Sequence, residues 1–359
     1  MKIVTIVGAR PQFIKAAVVS RQMAQYPDIK EVVVHTGQHF DKNMSDLFFE
    51  ELSLPHPDYQ LDINCLGHGA MTGRMIEELE KLLLHEQPDW VLVYGDTNST
   101  LAGALAAKKL HIKVAHVEAG LRSFNMDMPE EVNRILTDRI SNVLFCPTAT
   151  AVQNLHKEGF ADFNIPIIQC GDVMQDAALF YAERAKKPTA ELPENYILCT
   201  VHRAENIDNT ARLNTIFNTL NDIAQEMPIV IPLHPHTRRK LEAISYNFAE
   251  SCLTFIEPIG YLEMVWLLQQ CQFVMTDSGG LQKEACFFRK LCLTLREETE
   301  WVELVENGVN ILAGANPEAI KSGAATLSQQ TFPTDTPNLY GNGHAAQKIL
   351  ENLTCSISV

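Results

Sequence analysis

Two doubly wound α/β domains, each a parallel sheet with helices on both faces, are the fold this sequence predicts. Three observations carry that expectation. Short β-branched runs alternate with helix-length amphipathic stretches, the alternation starts afresh in the second half, and 359 residues exceed what one hydrophobic core usually organises.

Strands are expected at Lys2 to Val7, Glu31 to His35, Trp90 to Tyr94, Val114 to Val117 and Val143 to Cys146. Their branched and aromatic side chains suit strands covered on both faces. Helices are expected between them, among these Phe13 to Gln25, Thr72 to His85 and Asn98 to Leu110. The strand pattern then restarts, with Ile165 to Cys170 opening a second set that continues at Asn195 to Val201, Ile229 to Leu233, Leu253 to Ile256, Phe273 to Thr276 and Leu291 to Leu295. Between Glu183 and Glu194, Lys186-Lys187-Pro188 and Leu192-Pro193 interrupt any helix, which sets the boundary near residues 170 to 190. The expected domains are therefore 1–172 and 173–341. Segment 342–359 holds a last amphipathic helix, Gly343 to Leu353, expected to pack back on the first domain.

Composition narrows the function. With 46% hydrophobic and 20% charged residues the chain reads as globular. No stretch approaches the roughly 18 apolar residues a spanning helix needs. The apolar run Ile3 to Val7 lacks the length and cleavage site of a signal peptide, so a cytoplasmic location is expected. A formal charge of −15 argues against a nucleic-acid or membrane partner, both of which call for a basic face. Nine scattered cysteines without a Cys-x-x-Cys pair read as small buried residues of a reducing compartment. Any anionic ligand must then be held by a local cluster of donors.

In open parallel sheets ligands bind beyond the carboxyl ends of the strands. Here those positions are polar: Gly8-Ala9-Arg10-Pro11-Gln12 with Lys15 a turn later, Thr36-Gly37-Gln38-His39, Gly95-Asp96-Thr97-Asn98-Ser99 and Glu118-Ala119-Gly120-Leu121-Arg122. The first is neither a Gly-x-Gly-x-x-Gly fingerprint nor a P-loop, which argues against a dehydrogenase and an NTPase. Arg10 and Lys15 read as ligand contacts or as solvated residues of the first helix. The carboxylates Asp96, Glu118, Glu130 and Glu131 fall at or soon after strand ends and point to acid/base chemistry. Taken singly, Asp96 also fits a helix cap, and Pro129-Glu130-Glu131 an ordinary helix start with acids at the positive dipole end.

In the second half, Thr200-Val201-His202-Arg203-Ala204-Glu205-Asn206 follows a buried strand, and Thr276-Asp277-Ser278-Gly279-Gly280 follows another and opens a helix. Ser278, Gly279 and Gly280 offer unhindered N–H groups at a helix start, which is a phosphate site or simply a helix-starting turn. Glu284, a turn further in, is placed to accept hydrogen bonds from a ribose. His234-Pro235-His236 lacks the further ligands of a zinc site, so no metal is expected, and one of these histidines is expected to face the cleft between the domains.

This ordered set resembles the non-hydrolysing UDP-N-acetylglucosamine 2-epimerases over essentially the whole chain. The motifs are Gly8-Ala9-Arg10-Pro11-Gln12-Phe13-Ile14-Lys15, Thr36-Gly37-Gln38-His39, Gly95-Asp96-Thr97, His116-Val117-Glu118-Ala119-Gly120-Leu121-Arg122, Pro129-Glu130-Glu131-Val132-Asn133-Arg134, His202-Arg203-x-Glu205-Asn206 and Asp277-Ser278-Gly279-Gly280-x-Gln282-x-Glu284. The resemblance implies two Rossmann-like doubly wound domains in a GT-B-like arrangement, with a UDP-sugar substrate in the cleft between them, no cofactor, and a homodimer. It implies a reaction in which UDP is eliminated to a 2-acetamidoglucal and returns after C2 is reprotonated on the other face, a step in polysaccharide precursor synthesis. By position it makes Asp96, Glu118, Glu130 and His202 the essential acid/base groups and Arg134 an arginine of the catalytic loop. It makes Arg10, Lys15, Ser278, Gly279, Gly280, Glu284, Arg203 and His234 substrate-binding residues.

Three places depart from the usual pattern. Ala204 stands where a second arginine is frequent, Gly67-His68-Gly69 where Gly-Gln is frequent, and Thr299-Glu300-Trp301-Val302-Glu303 replaces Thr-Glu-Arg-Pro-Glu. The first two bear on a second, activating UDP-GlcNAc site. The third resembles relatives acting on UDP-2,3-diacetamido-2,3-dideoxy-glucuronate. A hydrolysing relative, a GT-B glycosyltransferase and a non-catalytic nucleotide-sugar sensor are the other readings, the last disfavoured because binding a dianion does not call for several carboxylates.

Overall fold

The structure is a computed structural model that describes residues 1–38 and 56–355. It divides into two compact units, Met1–Ala177 with Asn338–Val359, and Ala178–Pro337.

The first unit is built on a parallel sheet of β1 (Lys2–Val7), β2 (Lys30–His35), β3 (Tyr59–Gln60), β4 (Trp90–Tyr94), β5 (Lys113–Val117), β6 (Val143–Cys146) and β7 (Ile167–Gln169), in the order β3-β2-β1-β4-β5-β6-β7. Its helices are α1 (Arg10–Met23), α2 (His68–Glu86), α3 (Asn98–Lys109), α4 (Pro129–Ile140) and α5 (Ala149–Lys157), and α6 (Val173–Ala182) leads into the second unit. One face of the sheet packs Val4, Ile6, Val91, Val93 and Val114 against Leu79 and Leu83 of α2 and the alanines of α3. Each large side chain so buried contributes about 1.5–3 kcal/mol. Small residues let α3 lie close to the sheet: a Cβ on Gly103 would come within 2.7 Å of Ile6 Cδ1.

The second unit repeats the plan with β8 (Ile197–Thr200), β9 (Ile229–Pro232), β10 (Thr254–Ile256), β11 (Val274–Thr276), β12 (Cys292–Thr294) and β13 (Asn310–Leu312), ordered β10-β9-β8-β11-β12-β13 and parallel throughout. Around it lie α7 (Ala204–Ile207), α8 (Thr210–Ala224), α9 (Pro235–Ala243), α10 (Tyr261–Gln270), α11 (Gly279–Phe287), α12 (Val302–Glu306) and α13 (Pro317–Gln329). Cys271 and Cys292 belong to its core beside Leu198, Val230 and Val274, and burial pushes both thiols up to about 12. They pack as small apolar residues. The chain then returns to the first unit, where α14 (Ala345–Cys355) packs on α1 and its first turn is held by Asp176, whose carboxylate accepts from Ala345 N and Ala346 N at 3.1 and 2.8 Å.

One strand falls elsewhere than the sequence suggests. The run Ile165 to Cys170, read as opening the second set, supplies β7, which pairs with β6 and closes the first sheet. The second sheet begins only at β8. No described helix is long and apolar enough to cross a membrane.

Both sheets follow the strand order 3-2-1-4-5-6 of Rossmann-like units, and the first adds a seventh strand beyond the sixth. In each, the order reverses between the first and fourth strands. Loops leaving those two strands diverge, and the crevice left at their carboxyl ends is where ligands bind.

Candidate active site

At the switch point of the first sheet, between β1 and β4, the loops are pinned by neutral groups. Gln12 Oε1 accepts from Gly8 N and Ala9 N at 2.8 and 3.1 Å, while its amide donates to Tyr94 O at 2.7 Å and Thr100 Oγ1 at 2.9 Å. One buried amide thus joins the end of β1 to the end of β4. Gly8 is required there, since a Cβ would lie 2.1 Å from both Ser99 Oγ and Thr36 Oγ1.

Charged groups gather on this frame. Lys15, buried on α1, forms an ion pair and hydrogen bond with Glu118 just past β5, 103 residues away. Gly95, at φ +64, passes beside them; its Cβ would sit 3.1 Å from Glu118 Oε2 and 3.3 Å from Lys15 Nζ. Asp96 Oδ2 accepts from Arg134 at 2.6 Å, and its main-chain oxygen accepts from Asn133 Nδ2 at 2.9 Å. Asp96 does not cap α3; Thr97 does, its hydroxyl accepting from Thr100 N at 3.3 Å.

Glu118 has a left-handed backbone, φ +73, which for a residue with a Cβ costs about 1–3 kcal/mol and collects at functional sites. Its N–H and that of Ala119 both donate to Phe145 O at 3.0 Å.

The two acids opening α4 have separate tasks. Glu131 is fully buried: it accepts from Ser123 N at 3.0 Å, from Phe124 N at 2.9 Å and from Arg134, so it anchors the preceding loop and orients Arg134 toward Asp96. Glu130 is half-buried and makes no hydrogen bond or ion pair with a described residue. Arg10 stands in the first turn of α1, and its side chain and His39 lie outside the described residues.

At the switch point of the second sheet, between β8 and β11, the organiser is a single buried carboxylate. Asp277 accepts from His202 N (3.1 and 3.0 Å), Arg203 N (3.0 Å) and Asn206 Nδ2 (3.0 Å). His202 Nδ1 lies 3.7 Å from Asp277 Oδ1, and its ring is 40% exposed with its centroid 6.3 Å from that of His234. His234 is exposed, and its Nδ1 caps α9 by accepting from His236 N at 3.2 Å.

Residue 277 also leads directly into the Ser-Gly-Gly turn. Ser278 N is already bonded to Thr276 Oγ1 at 2.9 Å, and the Ser278 hydroxyl caps α11 through Leu281 N at 3.5 Å. The donors left at this helix start are those of Gly279 and Gly280, because first-turn N–H groups have no intrahelical acceptor. A Cβ on Gly279 would sit 2.2 Å from Glu300 Oε1. Glu284 is buried on the same helix. Beside it Lys283 Nζ lies 4.0 Å from the centre of the Trp301 ring, so the departing tryptophan packs on a buried cation.

The sequence-predicted residues therefore assemble into two groups: Lys15, Asp96, Glu118 and Arg134 in the first unit, and His202, Arg203, Ser278, Gly279 and Gly280 around Asp277 in the second. Sequence reasoning passed over Gln12, Glu131, Asn133 and Asp277 as organisers. All four lie inside the motifs quoted above, yet their partners are set by folding.

The fold is that of an α/β protein of two Rossmann-like units in the GT-B-like class. Residues 21–354 match the family model described as UDP-N-acetylglucosamine 2-epimerase, and the chain belongs to that family. Over 355 residues it is 55% identical to the UDP-2,3-diacetamido-2,3-dideoxy-D-glucuronate 2-epimerase of Pseudomonas aeruginosa, covering 98% of this chain and 99% of the relative. It resembles the crystal structure of Methanocaldococcus jannaschii UDP-GlcNAc 2-epimerase in complex with UDP-GlcNAc and UDP, with a TM-score of 0.91, 42% identity and 99% of each chain covered. The Neisseria meningitidis UDP-GlcNAc 2-epimerase bound to UDP-GlcNAc gives 0.87 at 31% identity, covering 99% of this chain and 100% of that one.

Proposed function

We propose that the chain inverts C2 of a UDP-linked 2-acetamido sugar, with proton transfer by the first unit and UDP held by the second. The observation that carries this reading is the set of carboxylate–cation pairs at the carboxyl end of the first sheet, Glu118 with Lys15 and Asp96 with Arg134. A carboxylate accepts or returns the C2 proton, and a neighbouring cation stabilises negative charge as UDP departs. Glu130, available at the start of α4, is the partner acid or base, and His202 the imidazole that assists. In the second unit Gly279 and Gly280 N–H hold the diphosphate at the positive end of α11 and Glu284 the ribose. Elimination breaks the C2–H and C1–O bonds and leaves a 2-acetamidoglucal and UDP; re-addition restores both with C2 inverted.

The sequence reading places plain UDP-GlcNAc first. The 55% identity with the diacetamido-glucuronate enzyme favours the 2,3-diacetamido uronate instead. Incubating the protein with each UDP-sugar in heavy water and following C2 by NMR separates them. The uronate is expected to gain deuterium at C2 and to epimerise faster. Faster turnover of UDP-GlcNAc would restore the first reading, and product retaining C2 protium would contradict both.

A further inference from the structure

We propose that His116 and Asp138 are positioning residues, a buried imidazole–carboxylate bridge that fixes the segments bearing Asp96, Glu118 and Arg134 against one another; this rests on the 2-epimerase reading and deepens it. His116 lies in β5 and Asp138 near the end of α4, both with fully buried side chains. Neither can touch a substrate, so any effect on the reaction passes through other groups.

His116 Nδ1 is 2.7 Å from Asp138 Oδ1, and Nε2 is 2.7 Å from the main-chain oxygen of Gly95. Each ring nitrogen thus faces an acceptor, a carboxylate on one side and a carbonyl on the other. The other oxygen of Asp138 accepts from Gly120 N at 3.1 Å and from the Arg122 guanidinium at 2.8 Å. Arg122 in turn reaches Glu158 at the end of α5 through two hydrogen bonds of 2.6 and 2.8 Å.

Each end of this network adjoins a proposed reacting group. Gly95 immediately precedes Asp96, and its own N–H donates to Val117 O at 2.9 Å. His116 and Gly120 stand two residues to either side of Glu118, which holds a φ of +73. Asp138 lies one helical turn beyond Arg134, the partner of Asp96. Position 120 must be glycine, because a Cβ there would lie 2.5 Å from Ala151 O. Burial alone would push the Asp138 carboxyl up, but the hydrogen bond and charge of His116, joined by Arg122, hold it below the usual carboxylate range. A fully bonded network in a dry interior resists displacement, and displacements near 1 Å cost catalysis heavily.

The test uses the full chain with His116→Asn, which keeps a donor near Asp138, and His116→Gln, which keeps one near Gly95. Two quantities are measured: kcat and KM for the UDP-sugar, and UDP affinity by calorimetry. Both variants are expected to lose about tenfold to a hundredfold in kcat. KM and UDP affinity are expected to stay within about twofold, a split that a general loss of structure would not give. Retention of kcat within about twofold in both variants overturns the proposal. So does a loss of UDP affinity in parallel with kcat. Failure of the 2-epimerase reading is recognised separately, since the wild-type protein would then leave C2 protium in place.

Discussion

The two units share one strand order but hold their strand-end residues by different forces. In the first, opposite charges meet across the ends of β4 and β5 and the start of α4: Lys15 with Glu118, Arg134 with Asp96 and Glu131. In the second, the work falls to main-chain N–H groups converging on Asp277 and to the open start of α11. Paired side chains can exchange protons or respond to charge forming on a neighbour. Main-chain donors keep a fixed position and suit an anion that arrives and leaves as a whole. Under the proposed function, the difference separates chemistry from binding.

Breaking the charged side should have the largest effect. Glu118→Gln keeps the shape and removes the base, and kcat is expected to fall about a hundredfold to ten-thousandfold in steady-state assays. On the other side, Glu284→Ala should raise the UDP dissociation constant about tenfold or more while kcat at saturation changes little, as for loss of a charged hydrogen bond. Unchanged UDP affinity by calorimetry would remove Glu284 from the ribose site. Asp277→Asn puts an NH2 group among donors and should lower stability by about 1–3 kcal/mol in urea melts; an unchanged midpoint would show that Asp277 does not hold the His202 loop.

The pH dependence sharpens the contrast further. Asp138 is held below its usual range in the folded state, so its contribution is present above its unfolded value of about 3.9 and is lost as pH falls through the folded one. Wild type is expected to be more stable than Asp138→Asn at pH 7, with the gap narrowing as urea melts are carried toward pH 2. A gap that widens on acidification would contradict that sign. The smallest effect belongs to Lys81→Ala, which removes exposed pairs with Glu77 and Glu78 on α2 and should leave both the urea midpoint and the activity unchanged.

Much of this was legible in the sequence because buried parallel strands announce themselves as branched apolar runs, as at Trp90 to Tyr94. The two-residue β3 was not, since so few residues set up no pattern, and neither was β13, whose apolar run is broken by Asn310. Strand β7 shows another limit: Ile165 to Cys170 reads as a strand, but which sheet it joins is decided by pairing with β6. The candidate site follows the same rule. Strand-end position exposes Asp96, Glu118 and His202, whereas the Lys15–Glu118 pair spans 103 residues and has no local signature. Likewise Glu130 and Glu131 are adjacent acids in one helical turn, and only the fold assigns Glu131 to Ser123, Phe124 and Arg134.

The central claim is that proton chemistry and UDP binding reside in different units, and the UDP affinity of Glu118→Gln tests it most directly. Calorimetric titration of that variant should return a dissociation constant within about twofold of wild type, even though turnover is nearly abolished. A tenfold or greater loss of UDP affinity would contradict the account, because it would place Glu118 in the nucleotide site.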